Sequence, residues 1–98
     1  MSYELIVRNR AEKEFEKVMY EYKLISKDVS SRFFIELENA LNRITKNPKA
    51  FQIRYKNMRM IHLPTFPFSL HFKINLTKKT VRVFALSPSK SNPVNWLQ

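Results

Sequence analysis

The spacing of apolar residues along this chain changes once. As far as residue 46 they recur every three or four positions, and from residue 58 they alternate. Neither an amphipathic helix nor a half-apolar sheet can leave its apolar side in water, so a chain with this pattern must lay helices on one face of a sheet. Ala11, Phe15, Val18, Met19, Tyr22 and Ile25 mark a helix over 10–25, with Asn9 placed to cap it and Glu12 three residues further on, the capping-box spacing. The second stripe is Val29, Phe33, Leu37, Ala40, Leu41 and Ile44. It begins after Ser26 or Asp28 and ends at Asn47-Pro48, because the residue before a proline is steered out of helix. Helices joined this closely fold back on each other as an antiparallel hairpin.

Residues 2–8 read as a short strand and residues 48–57 as a basic loop. Strands follow at 58–63, 68–74 and 80–86, separated by Pro64-Thr65-Phe66-Pro67 and by the turn at 76–79. Phe68, Leu70, Phe72 and Ile74 share one face, and Ser69, His71 and Lys73 share the other. Residues 80–86 are apolar at almost every position, as a central strand requires. The expected fold is a two-layer α+β sandwich in the order β-α-α-β-β-β. The helix hairpin packs on one face of a mostly antiparallel four-stranded sheet, leaving the other face open. At 98 residues this is one domain, 1–98, that buries about 60–65% of its unfolded surface.

Three absences narrow the chemistry. The chain has no glycine, so it holds neither a P-loop nor a dinucleotide fingerprint, where backbone N–H groups must crowd a phosphate with no Cβ in the way. It has no cysteine, which removes disulfides, zinc-thiolate sites and thiol nucleophiles. With two histidines it cannot form a three-histidine metal site. No metal and no small-molecule cofactor are expected. No apolar run approaches the ~20 residues of a membrane span. Met1-Ser2-Tyr3-Glu4 opens without the basic segment of a signal peptide, so the expected location is the cytoplasm.

The charge is divided along the chain. All eight acids lie in the first 38 residues beside seven bases, whereas the remaining 60 residues hold eleven bases and no acid. The whole net charge of +10 belongs to the C-terminal part. An acid-free cationic segment repels itself and is suited to a polyanion, either nucleic acid or an acidic protein; a solvated basic face is the plainer alternative.

Three groups of residues stand out. Arg54-Tyr55-Lys56-Asn57-Met58-Arg59 interleaves cations and an aromatic ring, as single-stranded RNA grooves do; Tyr55 as a core residue is the alternative. His62 and His71 lie on consecutive strands and share a face if the turn between them has even length. One could then accept and the other donate a proton, the least that RNA cleavage without a metal needs; coincidence is the alternative. In Ser87-Pro88-Ser89-Lys90-Ser91-Asn92-Pro93, Lys90 stands beside hydroxyls as a phosphate contact, or the segment is an ordinary turn-rich end.

Taken with Phe66-Pro67-Phe68, Val81-Arg82-Val83-Phe84-Ala85-Leu86 and Asn92-Pro93-Val94-Asn95-Trp96, this layout resembles the RelE/ParE superfamily of toxins from type II toxin–antitoxin systems, in particular the small plasmid stabilisation proteins. The resemblance implies a helix hairpin on a mostly antiparallel sheet and an acidic antitoxin that covers the basic face. RelE-like members cleave mRNA on the ribosome without metal, by attack of the 2′-hydroxyl, while ParE-like members block DNA gyrase. Arg59 matches a family arginine that opens its strand, and His62 falls near a transition-state arginine of the RNA-cleaving members. Where look-alikes carry His-Thr-Ser-Arg-Asn-Pro, this chain has Pro88-Ser89-Lys90-Ser91-Asn92-Pro93, which leaves Lys90 as the only cation there. The expected catalytic set is therefore His62, His71 and Lys90, with Arg54, Lys56, Arg59, Lys73 and Arg82 holding the RNA backbone. The alternative is a protein-binding gyrase inhibitor or a degenerate toxin. The expected partners are a cognate acidic antitoxin and the ribosome with its mRNA, or DNA gyrase in the alternative, and no membrane.

Overall fold

The structure, a computed structural model, describes residues 2–89. Helix α1 spans Asn9–Ile25 and helix α2 spans Lys27–Lys46, so Ser26 alone joins them. Ser26 is extended, and its backbone N–H closes α1 on the Tyr22 carbonyl. Its hydroxyl accepts from the N–H groups of Asp28 (3.1 Å) and Val29 (3.4 Å), which satisfies donors that the first turn of α2 would otherwise leave unpaired. Ser30 then donates from Oγ to the Met19 carbonyl at 3.1 Å and ties the two helices together. The capping box expected at Asn9 does not form. Asn9 lies inside α1, and Arg8 precedes the helix with no side-chain cap. The reason is tertiary: the Arg8 N–H donates to the Val83 carbonyl at 3.0 Å, so strand pairing persists up to the first helical residue. Helix α2 ends as expected, at Asn47 before Pro48, and a single 3-10 turn follows over Pro48–Ala50.

Among the described residues five strands form the sheet, where four were expected. They are β1 (Glu4–Val7), β2 (Ile53–Tyr55), β3 (Met58–His62), β4 (Phe68–Asn75) and β5 (Thr80–Pro88), in the spatial order β1-β5-β4-β3-β2. The additional strand, β2, lies in the segment read as loop. Its three residues are all exposed, so no apolar alternation marks it. It pairs with β3 through a turn in which Lys56 (φ 45°) and Asn57 (φ 63°) are both left-handed. That turn is the two-residue hairpin geometry usually announced by Asn-Gly. β1 and β5 are parallel, and the other pairs are antiparallel; the helix hairpin carries the chain from β1 at one edge of the sheet to β2 at the other.

The alternation along β5 is broken by a bulge. His71 pairs with Ala85 and Phe72 with Val83, so Phe84 is the additional residue. The bulge lets Val81, Val83 and Leu86 all face the helices although they do not share one period. Against them pack Ala11, Phe15 and Val18 of α1, Phe33, Leu37, Ala40 and Ile44 of α2, and Ile61, Leu70 and Phe72 of the sheet. Tyr22, Phe33, Phe66 and Phe68 close one end, with ring centroids 5.1–6.4 Å apart. Ile25, expected in the apolar stripe, is 73% exposed as the last residue of its helix. Glu36 of α2 accepts from the backbone N–H of Thr65 (3.1 Å) and from its hydroxyl, and so anchors the β3–β4 turn. Among the described residues no helix is long and apolar enough to cross a membrane.

A chain without glycine must place other residues in left-handed backbone. Lys79, between β4 and β5, does so at φ 54°. For a residue with a Cβ this conformation costs about 1–2 kcal/mol, part of which glycine returns by loosening the unfolded chain. We expect Lys79→Gly to stabilise the fold by about 0.5–1 kcal/mol, seen in thermal unfolding as a rise of a few degrees. A fall in the melting temperature would count against left-handed strain at that turn.

Candidate functional site

The helices cover one face of the sheet, and the register decides which residues occupy the other. His62 pairs with Ser69 and Met60 with His71, so both histidines lie on the open face as diagonal neighbours. They do not bond to each other. His62 Nδ1 contacts Ser69 Oγ, which is fully buried. His71 lies 3.0 Å from the Tyr55 hydroxyl through Nδ1 and 2.6 Å from Ser87 Oγ through Nε2. Strands β2, β4 and β5 thus each supply one member of a Tyr55–His71–Ser87 chain.

This chain borders a cavity of about 430 Å³, whose wall also includes Arg8, Arg10 and Phe84. Burial lowers the pKa of His71 below its ordinary value. Glu14 acts in the opposite direction, while Arg10 and His62 add to the lowering. The Glu14 carboxylate is committed elsewhere: Oε1 accepts from the Leu86 N–H at 2.9 Å and Oε2 faces Arg10 Nε at 3.5 Å. The net result is an imidazole kept neutral in a cavity that two arginines also line. It can accept a proton where an anion can bind.

A second cavity of about 410 Å³ lies on the same face and is lined by Lys73, Lys78 and Arg82, with Glu4 and Ile6 from β1. Phe84, the bulge residue, is the wall common to both cavities. Arg8 and Lys73 place their charges 5.1 and 5.3 Å from its ring centroid.

The residues singled out in the sequence are distributed as follows. His62, His71, Lys73 and Arg82 share the open face. Arg54 is exposed on the edge strand β2, and Lys56 is at the hairpin tip beside it. Arg59 is elsewhere: it pairs with the buried Phe72, and its Nη1 donates to the Phe51 carbonyl at 2.6 Å on the helix side. Lys90 and residues 91–98 lie outside the described residues. The acid-free half does not form a single patch either, because Arg43 is 5.4 Å from the Phe51 ring centroid and Lys46 lies near it at the end of α2. In exchange, Arg8 and Arg10 come to the cavity from the acid-rich half. No local pattern marks them; they become relevant only once β1 lies beside β5. Tyr55 and Ser87 were within the segments noted, but their meeting with His71 spans 16 residues in each direction. Among the described residues no group of three or more His, Asp or Glu side chains is arranged to hold a metal ion.

No protein-family model matches the sequence, and no curated protein is detectably similar to it. Solved structures do match. The chromosomal ParDE toxin–antitoxin system of P. aeruginosa superposes with a TM-score of 0.76 at 14% identity, over 91% of this chain and 98% of that one. The intact RelBE toxin–antitoxin complex of E. coli gives 0.66 at 20% identity, over 92% and 100%. A RelBE toxin–antitoxin complex of Mycobacterium tuberculosis gives 0.60 at 12% identity, over 90% and 99%. The chain has the fold of the RelE/ParE toxins.

The lowered pKa of His71 has a consequence for stability. Between its folded value and about 6.5 the unfolded chain binds more protons than the folded one, so the contribution is present above the unfolded value and is lost as pH falls. Urea unfolding should show stability rising from pH 5.5 to 7, with a shallower slope in His71→Gln. An unchanged slope would mean that His71 does not titrate with a lowered pKa.

Proposed function

We propose that this protein is the toxin of a type II toxin–antitoxin system and acts as a metal-independent, ribosome-dependent mRNA endoribonuclease. The observation that carries the reading is His71, neutral in a cavity that Arg8 and Arg10 also line, in a chain with the fold of the toxins of toxin–antitoxin complexes. Cleavage of an RNA strand by its own 2′-hydroxyl needs a proton acceptor, cations at the phosphate and a proton for the leaving 5′-oxygen. His71 is suited to the first requirement. Arg8, Arg10, Lys73 and Arg82 supply cations along the face, with Arg54 and Lys56 at its edge. In this reading His62 is a second acceptor or a phosphate contact, and Lys90 stabilises the developing charge.

The test is RNA cleavage by purified protein with programmed ribosomes. His71→Ala should lower the rate by roughly 10²–10⁴-fold, and Lys90→Ala and His62→Ala should each lower it by less. If all three variants cut like the parent, the catalytic assignment is wrong.

The second reading is a ParE-like inhibitor of DNA gyrase that grips protein rather than cutting RNA. It is favoured by the superposition on ParDE at a TM-score of 0.76 and by the serine at position 91, where the look-alikes have arginine. Inhibition of gyrase supercoiling by a protein that never cuts RNA would decide for it. Under either reading we expect an acidic antitoxin to bind with an affinity that falls roughly tenfold or more as salt rises. Titration calorimetry at two ionic strengths measures this, and a salt-independent affinity would rule out electrostatic capture.

A further inference from the structure

Three features of the open face call for a function: the two basic cavities, the bulge at Phe84 and the hydrogen-bonded chain through His71. The chain carries an inference furthest, because its members come from three strands and meet only in the folded protein. We infer that Tyr55, His71 and Ser87 form a proton relay in which Tyr55 fixes the tautomer of His71 and Ser87 is the hydroxyl that meets the substrate.

The distances suit one assignment of the protons, which we adopt. A hydroxyl donor makes a shorter hydrogen bond than an N–H donor. The 2.6 Å contact fits Ser87 Oγ–H donating to Nε2, and the 3.0 Å contact fits Nδ1–H donating to the Tyr55 oxygen. Nε2 is then the accepting nitrogen, on the side that faces the cavity through Ser87. Tyr55 also holds the imidazole edge-on, with ring centroids 6.1 Å apart at 66°. Among the described residues, the charged groups that act on the ring are Glu14 and Arg10 of α1 and His62 of β3, and Arg8, just after β1, lines the same cavity. Glu14 alone favours the imidazolium that the relay produces, which gives the transferred proton a stabilising partner without making the resting ring cationic.

The substrate comes from the RNA-cleavage reading, on which this inference rests. The 2′-hydroxyl gives its proton to Ser87 Oγ as the Ser87 proton passes to Nε2, so Ser87 ends neutral and His71 ends as imidazolium. The 2′-oxygen bonds to phosphorus, the bond from phosphorus to the 5′-oxygen breaks, and the leaving oxygen takes a proton from water. The products are a 2′,3′-cyclic phosphate and a 5′-hydroxyl. His71 then returns its proton to the solvent. Ser87 touches the reacting hydroxyl, whereas Tyr55 is a positioning residue.

The experiment pairs nitrogen-15 NMR of the imidazoles, recorded on the full chain without RNA, with cleavage on ribosomes. In the parent the His71 proton should reside on Nδ1. In Tyr55→Phe, which keeps the ring but removes the acceptor, the resonances should move toward the Nε2–H tautomer and cleavage should fall on the order of tenfold or more. Ser87→Ala should leave the tautomer on Nδ1 and lose about a hundredfold or more in cleavage, while Ser87→Thr, which keeps the hydroxyl, should retain most of it. A resting Nε2–H tautomer in the parent, a tautomer unmoved by Tyr55→Phe, or Ser87→Ala cutting like the parent would each overturn the relay. Should the parent cut no RNA at all, the RNA reading falls, and the NMR result alone upholds or rejects the fixing of His71 by Tyr55.

Discussion

Helices α1 and α2 bury Phe15, Val18, Phe33, Leu37 and Ile44 against Leu70, Phe72, Val81 and Val83, and the open face of the sheet depends on that one-sided burial. Each large side chain taken out of water there is worth about 1.5–3 kcal/mol. A slip of one residue in β3 or β4 would turn its apolar set outward. The same alternation that commits Leu70 and Phe72 to the helices commits Ser69, His71 and Lys73 to the opposite face. The polar face is thus a by-product of the core: the energy that places His62 beside Ser69 and His71 beside Tyr55 is the energy of burying their sequence neighbours.

Two irregularities turn that face from a flat sheet into a site. The bulge at Phe84 changes the parity of β5, so Ser87 falls on the side of His71 while Leu86 stays in the core. The left-handed pair Lys56 and Asn57 folds β2 back along β3 and brings Tyr55 to the same imidazole. The hairpin turn is a usual place for glycine, and here it is made without it. The strain carried by the lysines is small beside the core burial and is located next to the functional face, as local strain often is.

The electrostatics of the site come from both halves of the chain. The sequence isolates its excess positive charge after residue 38, yet the folded protein uses Arg8 and Arg10 at the cavity and leaves Arg43 and Arg59 against Phe51. Linear charge distribution is a poor guide here because a parallel β1–β5 pair returns the beginning of the chain to its end. A neutral imidazole in a cavity that two arginines also line results, with Glu14 held by a backbone amide so that it tempers the field without filling the cavity.

The sequence alone determined the helix hairpin, the three long strands, the face on which His71 lies and the absence of glycine loops and thiols, whereas the face of His62 waited on the register of β3 against β4. These follow from periods of 3.6 and 2 and from composition, which are local properties. The capping of α1, the strand β2, the bulge and the meeting of Tyr55, His71 and Ser87 were decided by tertiary structure. Asn9 lost its cap because Arg8 still pairs with Val83, and β2 carries no buried residue that would mark it. Arg59 was legible as a strand cation, but its pairing with Phe72 set it on the helix side. Pairing across strands depends on register, and register is fixed only when the whole apolar face is buried at once.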